Sequence, residues 1–174
     1  AMAVTQIATA AAALAWMAAE WMMRGKPSVL GIASGAVAGL VAITPAAGFV
    51  LPGGALVLGL IAGFGCFLAV MWLKLKLGYD DALDVFGIHG VGGIIGALLT
   101  GVFAAEAVSG TPGMLEGNVS QIVPQLYGVG VTIAYSGIVT FVLVKIVGAF
   151  MGLRVKEDDE REGLDVTLHG ESVA

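Results

Sequence analysis

The sequence predicts an all-α integral membrane protein with five transmembrane helices, on three observations. Of 174 residues, 58% are hydrophobic and 12% charged, with a mean hydropathy of +0.96; a soluble domain carries about 25% charge. Five apolar stretches, each near or above the length that crosses a bilayer, are separated by clusters of Gly, Pro and charge. Inside them glycines recur four apart, the spacing that lets helix backbones approach in lipid. The net charge of −5 is no surface signature, because seven of the thirteen acids lie between Glu157 and Glu171. Without a basic stripe, no nucleic-acid partner is expected. The single Cys66 allows no intrachain disulfide and reads as a small core residue. The first apolar stretch has no basic region ahead of it, so it does not read as a signal peptide.

The first helix is expected over residues 4–23, ending at Arg24-Gly25-Lys26-Pro27. The second, 28–43, is rich in small residues (Gly31, Gly35 and Gly39 among them) and stops at Thr44-Pro45. The third, 54–73, ends at Lys74 and Lys76, and the fourth spans 81–103. The fifth, 120–153, is longer than a perpendicular crossing needs, so it should be strongly tilted or protrude into water. Residues 1–153 are thus the membrane domain, and 154–174 form a charged tail. Of the eight Lys and Arg, Arg24, Lys26, Lys74, Lys76, Arg154, Lys156 and Arg161 follow the first, third and fifth helices. Lys145 can snorkel toward the same side. The loops 44–53 and 104–118 hold none. The positive-inside rule then places the C-terminal tail in the cytoplasm.

His89 stands in "DVFGIHGVGG", a titratable ring among glycines and aliphatics. Counted from Asp81, it lies about 12 Å along the fourth helix. At that depth a polar ring is costly unless it faces protein or a cavity. It is open to several readings: a histidine hydrogen-bonded to a neighbouring helix, a pore lining, a proton relay, or a metal or haem ligand. The helices offer no second His and only a remote Cys, which disfavours a metal; no metal or other cofactor is expected. Glycine beside the ring leaves room for a small solute. Asp80, Asp81 and Asp84 read as first-turn caps, with cation attraction or gating as the alternative. Thr44 reads as a helix terminus, with a hydroxyl facing an external vestibule as the alternative.

The segments "GLVAITPAAGFV", "DDALDVFGIHGVGGIIGALLTGVF" and "REGLDVTLHGE", with "LAWMAAEW" near the start, together resemble the ammonium transporter (Amt/Rh) family. The resemblance implies the second half of an eleven-helix protein built from inverted repeats: its last five helices and its tail. It implies no enzyme but a homotrimeric transporter of the cytoplasmic (inner) membrane, in which ammonium is recruited outside, loses a proton, and crosses as ammonia. Methylammonium is the matching analogue substrate. By the same resemblance, His89 is one of two pore histidines, Val85 a pore-lining aliphatic one turn below, and Thr44 the vestibule threonine. Arg161, Gly163, Leu164 and Asp165 match the tail motif that docks at the inner mouth and couples to a PII-type signalling protein. There Gly163 would take a conformation closed to other residues, and Asp165 would accept from backbone N–H groups. Such a half is not expected to conduct alone. Two other classes remain open at this level. One is a membrane-embedded proton-relay or respiratory-type subunit, for which a second ligand or a chain of membrane acids is missing. The other is an ammonium sensor acting through its tail, for which the abrupt charge at Glu157–Glu160 also fits a solvated end.

Overall fold

Alanine and glycine set how closely the helices approach. The computed structural model describes residues 1–171; the last three residues of the tail lie outside the described residues. Helix α1 (Met2–Arg24) carries alanines on its buried face, and α2 (Val29–Ile43) and α3 (Pro52–Leu77) pack on it from two sides. Gly39 of α2 and Gly59 of α3 both close on Ala8, while Gly35 and Gly63 close on Ala12. A methyl on any of these four glycines would meet backbone, so the small-xxx-small spacing is used here for direct contact. Trp16 and Phe67 fill the wider part of the bundle, edge to face with ring centroids 5.6 Å apart. Helix α4 (Phe86–Phe103) lies on α2 and α3. Its Gly92 meets Cys66 and Ala38, and its Gly96 meets Ala42, so α2 and α4 run in the same direction. Helix α5 is Ile122–Phe150, entered through a 3₁₀ turn at Val119–Gln121.

Among the described residues, four helical stretches are long and apolar enough to cross a membrane: Met2–Arg24, Pro52–Leu77, Phe86–Phe103 and Val119–Phe150. The fifth apolar helix, Val29–Ile43, is shorter. Among the described residues there is no strand, only an isolated bridge between Val50 and Ala104. With its relatives described below, this makes the chain a multi-pass membrane protein.

The chain divides into two units, Ala1–Val129 and Gly130–Ala174. In the first, the loops alternate between two ends. Arg24, Lys26, Lys74, Lys76 and Asp80–Asp84 lie at one end. At the other, Ala105 N–H donates to Phe49 O at 2.9 Å and ties the loop after α4 to the loop after α2. In the second unit, α5 has no buried residue, and Lys145 Nζ sits 5.6 Å from the centroid of the Phe141 ring. A short helix, α6 (Glu157–Glu162), follows, with Arg161 paired to Glu157 at 2.6 Å. The segment 165–169 after it, whose apolar side chains alternate in sequence, is a π-helical turn.

One boundary departs from expectation. The fourth helix begins at Phe86, not Asp81, because Asp84 takes a left-handed backbone conformation (φ 56°). Among the described residues it is the only non-glycine with positive φ, a conformation Asp tolerates better than most. His89 therefore sits in the first turn of α4, about 5 Å from the helix start, not about 12 Å.

Candidate functional site

His89 belongs to a π-helical turn, Phe86–Gly90, which opens α4 ahead of the regular helix Val91–Phe103. Such turns carry one residue more than an α-turn and are frequent at functional sites. Four contacts hold this one. The Asp81 carboxylate accepts from Val85 N–H (2.9 Å) and Phe86 N–H (2.8 Å), capping two of the free donors at the helix start. Asp84 O accepts from Ile88 N–H at 3.0 Å. The Cys66 thiol donates to Ile88 O at 3.8 Å, so this cysteine touches the backbone beside His89. Gly87 packs on Val70, within a second π turn, Ala69–Leu73 of α3.

Asp81 takes the capping role, accepting from two backbone N–H groups. Asp84 instead pairs with Lys74 at 2.7 Å, both side chains about 30% exposed (31% and 28%). Asp80 stands next to Asp81 and also has a partner. The capping expectation for Asp84 is corrected: its left-handed backbone points the carboxylate back to α3.

His89 and Val85 are both exposed, one turn apart. Among the described residues the His89 ring makes no hydrogen bond. Gly93, one turn further, has nothing within 4 Å of where a methyl would stand, whereas Gly92 and Gly96 point into the bundle. Val85, His89 and Gly93 thus share an open, largely apolar face with one polar ring. Thr44 is not beside them. It lies two residues past Ala42, which meets Gly96, and so about 13 Å beyond His89 along the helix axis. Exposed at the end of α2, its hydroxyl donates to Leu40 O at 2.7 Å.

A residue that sequence reasoning passed over is Glu20. It is 4% exposed, and its carboxylate accepts from Ser28 N–H (3.0 Å), Ser28 Oγ (3.1 Å) and Arg24 Nη1 (3.3 Å). Ser28 Oγ in turn caps α2 by accepting from Gly31 N–H at 2.9 Å. Gly31 is required at that point, since a methyl there would strike Glu20 Oε2. The signal available was an acid four residues before an arginine, followed by a serine at the start of an apolar run. Glu20, Ser34 and Asp84 also line one crevice of about 130 Å³ at the basic end of the bundle.

In the tail, Gly163 has φ 108° and ψ 125°, a conformation only glycine adopts readily. The carbonyl of Asp165 accepts from Glu171 N–H at 2.8 Å. Its carboxylate makes no hydrogen bond among the described residues, so the expected carboxylate-to-backbone contact is not formed here. Arg161 pairs with Glu157, and Leu164 is exposed.

Comparison with known proteins identifies the family. The family model described as Ammonium Transporter Family matches residues 1–174. The chain is 58% identical over 167 residues to an ammonium transporter of Aquifex aeolicus, covering 96% of this chain and 39% of that relative. It is 49% identical over 169 residues to an ammonium transporter of Bacillus subtilis, covering 96% of this chain and 42% of the relative. It therefore spans about two fifths of the length of the curated relatives it matches. Among solved structures, Mep2 of Saccharomyces cerevisiae superposes with a TM-score of 0.83 at 40% identity, over 90% of this chain and 37% of that one. A protein described as a sensor Amt protein superposes with a TM-score of 0.86 at 28% identity, over 96% of this chain and 41% of that one. The chain belongs to the ammonium transporter family.

Proposed function

We propose that this chain forms one half of an ammonium-conducting unit: the last five transmembrane helices and cytoplasmic tail of an eleven-helix transporter built from inverted repeats. The observation that carries this reading is the open face of α4, where an unpaired imidazole stands between Val85 and Gly93 in a family whose relatives are named ammonium transporters. A bare imidazole facing hydrocarbon is costly, so this face suits a second protein surface and a narrow pore better than lipid. His89 and Val85 line that pore, and Thr44 lies toward its external vestibule. Charged ammonium is expensive to move into such a path, while neutral ammonia costs far less. An imidazole both donates and accepts, so His89 can pass a solute hydrogen bond or a proton.

The remaining assignments follow from the same reading. Residues 1–153 lie in the cytoplasmic membrane as part of a homotrimer, and 154–174 are cytoplasmic. Arg161, Gly163, Leu164 and Asp165 dock the tail at the inner mouth, where a PII-type protein binds. The likeness to a sensor Amt protein favours one second reading, in which the same pore face binds ammonium and the tail reports it. An enzymatic or respiratory role finds no support among relatives named as transporters. The test is uptake of radiolabelled methylammonium into liposomes. The chain alone should give none, and a full-length relative carrying this chain in place of its aligned segment should restore it. Uptake by the chain alone at the level of that full-length protein would contradict the half-pore reading, and binding without uptake in the chimera would favour the sensor.

A further inference from the structure

The geometry points to Lys74 and Asp84 as positioning residues: their ion pair is a strut that holds the π turn of α4 and thereby sets the direction in which His89 points. This rests on the reading of His89 as a pore residue. Two π turns lie side by side, Ala69–Leu73 in α3 and Phe86–Gly90 in α4, in contact through Val70 and Gly87. One member of the pair flanks each turn. Lys74 is the first residue after the turn in α3, and Asp84 lies two residues before the turn in α4. Lys74 Nζ donates to Asp84 Oδ1 at 2.7 Å, with both side chains mostly covered. Asp84 is also the strained residue, and its carbonyl accepts the Ile88 N–H that closes the first turn.

The consequence is rotational. An α-helix advances about 100° per residue, and a π turn holds one residue more than an α-turn. If the turn relaxed to α, the chain ahead of it would rotate by about 100° against Val91–Phe103. Gly92 and Gly96 fix the body of α4 against Cys66, Ala38 and Ala42. The rotation would therefore fall on Val85 through His89, and would carry the ring off the face it shares with Gly93. The strut opposes this at its origin by anchoring the left-handed residue to the neighbouring helix. Asp81 caps the turn with hydrogen bonds inside its own segment, so the direct hydrogen bond to α3 comes from Asp84.

The test uses Lys74→Gln, Asp84→Asn, which keeps a residue tolerant of the left-handed conformation, and Lys74→Arg. In the chain itself, in micelles, amide hydrogen exchange at residues 86–90 should quicken by about tenfold in the first two variants and stay unchanged at 95–102. In a full-length relative carrying this segment, maximal methylammonium uptake should fall by about tenfold with KM within about twofold, and Lys74→Arg should restore both exchange and uptake. Unchanged exchange, a uniform rise along α4, or wild-type uptake despite faster exchange at 86–90 would each overturn the proposal. Wild-type uptake in His89→Ala would instead overturn the pore reading, and the exchange measurement would still decide whether the pair holds the turn.

Discussion

Gly93 and Gly96 lie three residues apart on α4 and face opposite surroundings, so the same substitution should act in opposite ways. A methyl at Gly96 would stand 2.8 Å from the Cα and carbonyl carbon of Ala42 and nearer still to its oxygen. Carbon atoms pack at about 3.5 Å or more, so α2 and α4 would have to part by at least roughly 0.7 Å, and further to clear the nearer oxygen. Backbone cannot swing aside as a side chain can, and overpacking of this kind costs about 1–3 kcal/mol. At Gly93 a methyl meets nothing within 4 Å. There alanine recovers about 0.5–1 kcal/mol of helix propensity. Denaturation of the chain in micelles, followed by circular dichroism, should show Gly96→Ala destabilised by about 1–3 kcal/mol and Gly93→Ala unchanged or slightly stabilised. Transport should invert the order for Gly93. In a full-length relative carrying this segment, a methyl one turn from His89 narrows the proposed path and should lower methylammonium uptake. Equal stability of the two variants would refute the packing argument. Wild-type uptake by Gly93→Ala would refute the placement of the pore wall.

Three further outcomes are expected. Cysteines placed in 44–53 or 104–118 should react with an impermeant thiol reagent in intact cells, and cysteines in 154–171 should not; the reverse pattern contradicts the orientation. Glu20→Ala should lower stability by about 1–3 kcal/mol in the same denaturation assay, because it leaves the Ser28 N–H and Arg24 without their buried acceptor. Gly163→Asp should cost about 1–3 kcal/mol locally, since φ 108° excludes a side chain, and should change both uptake and association with a PII-type protein; if neither moves, the tail is a passive end.

The helices could be read from the sequence because lipid demands long uncharged runs, and Arg24–Pro27, Thr44-Pro45 and Lys74–Lys76 interrupt them plainly. The close approaches were equally readable, since glycines four apart have few other uses in such helices. The start of α4 was not. Asp80, Asp81 and Asp84 look alike as acids ahead of an apolar run, and nothing in the letters says that Asp84 turns left-handed and pairs with a lysine ten positions back. Both π turns were hidden for the same reason: one inserted residue leaves hydrophobic periodicity almost unchanged over a segment that is apolar all round. His89 stood out because imidazole is rare in such a run, but its open face with Gly93 needed the neighbouring helices to be in place. Glu20 was passed over because it sits near a helix end, where a charge ordinarily reaches water; its burial depends on Ser28 folding back over it.

The most direct test of the central claim is His89→Ala in a full-length relative carrying this segment, with methylammonium uptake and ion selectivity measured at matched protein levels. The account predicts that uptake or selectivity changes strongly while assembly stays intact. Wild-type uptake with unchanged selectivity would contradict it and return His89 to a structural role.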